Sequence, residues 1–138
     1  MGNKLNTYSY HDEWKNARAR SLDDVIYKPM VYISGPIAGV PLYELRFEEA
    51  ERMLKAKGFD VVNPVAEKFN TFRYTKTGEP FNRYENLLFD FRLMNYCQYI
   101  YFLKGWEKAG GCMAEWAIAK ERRMSCLFEE PINMRQAD

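Results

Sequence analysis

The sequence predicts an α/β fold built on a parallel sheet. Short apolar runs rich in β-forming residues alternate with helical stretches of about ten to fifteen residues, the alternation that a parallel sheet with right-handed crossovers requires. The first two runs end on glycine or proline, and the first is apolar up to its last residue, as a strand covered on both faces should be.

The first run, MVYIS at 30–34, stops at Gly35-Pro36 and reads as a buried strand. Tyr43, Phe47, Ala50 and Leu54 then recur at helical spacing, and Gly58 ends that helix after Lys55 and Lys57. FDVVNP is a second strand, cut off by Pro64. A polar and aromatic loop over 65–80 leads to a second helix at 82–97, and YIYFL at 99–103 forms the third strand. A third helix starts near Gly111, and SCLFE supplies a last short strand, which gives four or five strands in all. Residues 1–29 are polar and mixed in charge, with a short helix over 12–24, and read as an extension ahead of a domain at 30–138.

Composition removes several function classes. The 138 residues fit one domain, and a net charge of +1 argues against a nucleic-acid binder that works through a basic face. No apolar run approaches a membrane span and the N-terminus lacks the apolar core of a signal peptide, so the expectation is a cytoplasmic protein without membrane contact. Cys97, Cys112 and Cys126 are isolated and His11 is the only histidine, which points to buried reduced thiols and away from a metal site or a disulfide framework. Nothing implies a cofactor. Ten Tyr and nine Phe are more rings than so small a core needs; some are expected to line a pocket or a homo-oligomeric contact, dimer or higher.

Ligands of parallel α/β sheets bind beyond the carboxyl ends of the strands. That rule gathers the 34–39 loop, Asn63-Pro64, the Gly105-Trp106 turn and the start of the third helix. Glu115, in that helix, has Gly111, Cys112, Ile118 and Ala119 at three and four residues, where a surface glutamate would meet a lysine or arginine. Asp90, in the second helix, also lacks a cation at those offsets. Each carboxylate is either a helix cap or solvated group, or one member of a pair whose surroundings separate their protonation states. The loop SGPIAGVP matches neither the dinucleotide fingerprint nor the P-loop, yet Ser34, Gly35, Pro36 and Gly39 can present amides to an anion, with Arg46 in the following helix beside them. Phe69, Phe72, Tyr74 and Phe81 with Lys68, Arg73 and Lys76 either cover a base and its phosphate or form the loop's own cluster. Trp106, fixed by a strand end, is the better stacking candidate.

VYISGPIAG, FEEAERMLKAKGFDVVNP and LLFDFRLMNYCQYIYFLKGWEKAGGCMAEWAIA together resemble the nucleoside 2-deoxyribosyltransferase superfamily, including its phage and bacterial branch and the 2′-deoxynucleoside 5′-phosphate N-hydrolases. The likeness covers about residues 30–128 and implies a flavodoxin-like three-layer sandwich. By this resemblance Glu115 is the catalytic glutamate and Asp90 the active-site aspartate, with Tyr32 beside them. Ser34 and Gly35 would border sugar and phosphate, while Asn63, Trp106 and Gly111 would complete the substrate contacts. The implied reaction is that of a retaining glycosidase acting on a deoxynucleotide or deoxynucleoside, with a deoxyribosyl ester on Glu115 passed to water or to a second base. Arg46 and the cationic loop favour a phosphorylated substrate and hydrolysis. Two positions depart from the pattern: Ala109 stands where an Asp or Ser is common, and Cys97-Gln98 replaces Cys-Asp. Ala109 supports the rival expectation of a non-catalytic module binding a nucleotide or an ADP-ribose-like ligand. The enzymatic reading requires the two carboxylates to converge above the sheet with neither consumed by a structural arginine.

Overall fold

A computed structural model describes residues 28–130; the helix expected at 12–24 lies outside the described residues. Its sheet has four parallel strands, β1 (Met30–Ser34), β2 (Asp60–Val62), β3 (Tyr99–Phe102) and β4 (Ser125–Phe128), in the order β2-β1-β3-β4. Between them run α1 (Tyr43–Ala56), α2 (Arg83–Met94) and α3 (Gly110–Glu121). The chain steps one way from β1 to β2 and the other way from β2 to β3 and on to β4. With right-handed crossovers, that reversal sends α1 to one face of the sheet and α2 and α3 to the other. The result is three layers with a switch point at β1, the order seen at the start of flavodoxin-like sheets.

Two cores follow from the pleat of the strands. Val31, Ile33, Tyr101 and Leu103 pack against Phe47, Ala50 and Leu54 of α1. Tyr32, Ile100 and Phe102 point the other way and pack with Met94, Cys97, Trp106, Cys112 and Ala119. Val31 to Ser34 are all buried, which is why the sequence of β1 shows no polar alternation.

Local signals explain the ends of the elements. The Asn82 side chain accepts from the Glu85 amide and the Glu85 side chain accepts from the Asn82 amide, a capping box that starts α2. The helix stops at Met94 rather than 97, because the amides of Tyr96 and Cys97 bond back only three residues in a tightened turn. Gly58, at φ 99°, supplies the left-handed residue that lets the chain leave α1 for β2. The long loop is more ordered than its composition implies. It contains a 3₁₀ turn (Glu67–Phe72) and a bridge between Tyr74 and Pro80. Phe69, Phe72 and Phe81 lie 6.2–6.4 Å from the ring of Phe89 in α2. Those rings form a cluster of their own on α2. No helix among the described residues is long and apolar enough to cross a membrane.

A candidate active site at the carboxyl edge of the sheet

Tyr32 and Ser34 are two residues apart on β1, so their side chains leave the same face, toward α3. Glu115 occupies the core-facing side of α3 between Cys112 and Ala119, both buried, and is itself only 6% exposed. Its missing lysine is thereby explained: the helical neighbours of Glu115 face the core, and a lysine ammonium would be buried there. Instead Tyr32 Oη donates to Glu115 Oε2 at 2.7 Å and Ser34 Oγ donates to Oε1 at 2.6 Å. Burial, with a smaller push from the nearby Asp90, holds the Glu115 carboxyl up at about 7 against the two hydroxyl donors and Arg73. Burial and the same carboxylates hold the Tyr32 hydroxyl in its protonated form well above the usual phenol range.

A cavity of about 650 Å³ opens over this edge, lined by Tyr32, Gly35, Asn63, Arg73, Asp90 and Glu115 among others. The two carboxylates therefore do converge, one from α2 and one from α3. Asp90, however, is bound by an arginine: Arg73 Nη2 lies 2.8 Å from Asp90 Oδ1. The same guanidinium donates to Pro64 O at 2.8 Å and to Asn86 Oδ1 at 3.0 Å, and it sits 4.6 Å over the Phe89 ring. Burial raises the Asp90 pKa above the usual carboxylate value, and Arg73 opposes only part of that rise. Convergence is met, but the second requirement fails at Asp90, which Arg73 engages, so an enzymatic reading has to rest on Glu115 alone. Asp90, with one oxygen engaged by Arg73, is suited to accept a hydrogen bond.

Other expected residues are placed differently. Asn63 lines the cavity, but its side chain shapes the turn, accepting from the Val65 amide at 3.1 Å and donating to Glu51 at 3.0 Å. Gly35 lines it too, and its glycine identity answers a packing need: a Cβ there would stand 2.6 Å from Leu103 Cδ1. Pro36, Gly39 and Gly111 are not among the lining residues. Arg46 is turned away, with Nη2 3.0 Å from Lys104 O and 3.3 Å from Glu129 Oε1, so it cannot hold a phosphate in this cavity. Trp106 is no stacking platform either. It is 7% exposed and packed among Phe102, Trp116 and Phe128 at 4.6, 5.1 and 5.7 Å between centroids. Of the loop cations only Arg73 reaches the cavity. Cys97 and Cys112 are buried free thiols, whereas Cys126 is only partly covered.

Sequence reasoning missed the role of Arg73, whose partners lie 9, 13 and 17 residues away, and the acidic face that α1 turns to the cavity. The second was visible as Glu44, Glu48 and Glu51 at spacings of four and three.

A family model described as a domain of unknown function, DUF4406, matches residues 29–128. The chain belongs to this family. The DUF4406 match runs from just before β1 to the end of β4, so Tyr32, Ser34, Asp90 and Glu115 all lie inside it. No curated protein and no solved structure matches the chain significantly.

Proposed function

We propose that this DUF4406 domain cleaves the N-glycosidic bond of a 2-deoxyribosyl nucleoside or nucleotide through Glu115. The observation that carries the reading is a buried carboxylate, held by two hydroxyl donors, at the wall of a ligand-sized cavity beyond the strand ends. Burying a carboxylate is costly even when hydrogen-bonded, and groups so perturbed cluster at functional sites, where one poised near neutral pH can serve as a nucleophile. A Glu115 oxygen would bond to C1′ as the C1′–N bond breaks and its electron pair leaves with the base. Water, or a second base, would then attack C1′ and return the pair to the carboxylate, the proton of the attacking group passing to solvent. Tyr32 and Ser34 hold the carboxylate in one orientation. Asp90, paired with Arg73, would accept from a sugar hydroxyl.

The test is chromatography of deoxynucleosides and deoxynucleotides incubated with wild type and with Glu115→Gln. Base release should fall by about 10³-fold or more in the variant, and the wild type should carry a transient adduct of one deoxyribosyl group by mass spectrometry. Undiminished release by Glu115→Gln would exclude the mechanism. The Arg73–Asp90 pair and Ala109 favour a second reading, a non-catalytic nucleotide or ADP-ribose-like binding module. It would show as thermal stabilisation by ligand with no base released by any preparation.

A further inference from the structure

The face that α1 turns to the cavity is acidic. Glu44, Glu48 and Glu51 line it with Glu67 from the 3₁₀ turn, and Asp90 and Glu115 complete six carboxylates. Against them the lining offers a single cation, Arg73, and its guanidinium is already shared among Pro64, Asn86 and Asp90. Lys55 pairs with one oxygen of Glu51 at 2.8 Å, and Lys68, 5.3 Å over Phe69, also acts on Glu51 through its charge; neither lysine lines the cavity. The first turn of α1, where an anion would otherwise meet free amides, carries Glu44 on its own dipole. Among the described residues no three acidic, Cys or His side chains converge to hold a metal ion. A recess in which carboxylates so outnumber cations repels a phosphate dianion and concentrates cations.

Building on the N-glycosidic reading above, we infer that the substrate carries no phosphate and that its base bears a positive charge, as in an N-alkylated purine or a pyridinium nucleoside. Glu115 approaches from the α3 layer, so the base departs from the opposite side of the sugar, toward the acidic face of α1. When the C1′–N bond breaks, the electron pair neutralises a cationic base, which leaves without needing a proton. The site fits that requirement. Tyr32 already donates its hydroxyl to Glu115, and Asp90 is bound to Arg73, so neither group beside the nucleophile is free to protonate a leaving base.

The experiment compares kcat/KM of the full chain for 7-methyl-2′-deoxyguanosine, 2′-deoxyguanosine and 2′-deoxyguanosine 5′-monophosphate, each divided by its uncatalysed rate. The cationic nucleoside should exceed the neutral one by about tenfold, and the monophosphate should fall at least about tenfold below it. Both ratios should shrink at about 0.5 M salt and in the double variant Glu44→Gln/Glu48→Gln. A monophosphate cleaved as well as the nucleoside, or ratios indifferent to the double variant, would overturn the inference while leaving Glu115 as nucleophile. Release of base from none of the three would sink both.

Discussion

Glu115 ties protonation to both stability and rate. Its folded-state pKa, about 7, lies above the 4.5 of an unperturbed glutamate. The protonated form is therefore favoured in the folded chain, and its stabilisation is complete below about pH 4.5. It declines as pH rises through that window and is gone above about pH 7, a difference on the order of 3 kcal/mol. Thermal melts of the wild type should drop between pH 5 and pH 8, and Glu115→Gln should flatten that dependence and melt higher at pH 8. Catalysis needs the opposite form, so kcat/KM should rise with pH along an acid limb with its midpoint near 7. Tyr32→Phe removes a donor to the ionised carboxylate, worth about 2 kcal/mol. That limb should move to higher pH in the variant; a pH–rate profile with an unmoved midpoint would deny the phenol its role. The sequence made Glu115 conspicuous by what it lacked at helical offsets, and the three-dimensional reason is burial against β1. It could not show that Asp90 is spoken for, since Arg73 reaches it across 17 residues of loop and helix.

At the level of elements, the geometry of the site depends on how closely β1 leaves the sheet. Gly35 passes so near Leu103 that an added methyl would meet its Cδ1 at 2.6 Å and its Cβ at 3.1 Å. Gly35→Ala should cost about 1–3 kcal/mol in urea unfolding, with Leu103→Ala in the same chain recovering part of it. An unchanged midpoint would mean that Leu103 yields freely. The strands and helices themselves were legible, because β1 up to its final Ser34 and β3 are runs of apolar and aromatic residues and α1 shows a clean period. Directions within elements were less so. Arg46 sits on a helix that borders the cavity, yet it reaches Lys104 and Glu129 instead, and Trp106 follows a strand end but folds back onto Phe102. Spacing shows which residues share an element. Which way a long side chain finally extends depends on partners distant in sequence.

Across the whole molecule, alternation of strand and helix was enough to give a parallel sheet, whereas the three layers were what the resemblance implied and the order β2-β1-β3-β4 is what the structure shows. The central position of β1 has a consequence for how the chain finds its fold. Because both faces of that strand are covered by apolar residues, sliding it one position would exchange its two sides with little hydrophobic penalty. The phenol of Tyr32 and the hydroxyl of Ser34, reaching for one carboxylate, mark the correct side. In the competing threading both hydroxyls would face α1 and leave the glutamate buried with no donor, so the pair acts as a key for strand alignment as well as for chemistry. Hydrogen exchange reads this directly: the β1 amides of Tyr32→Phe/Ser34→Ala should exchange faster than those of the parent while the α1 amides keep their protection. Equal protection along β1 would show that neighbouring strands alone set the alignment.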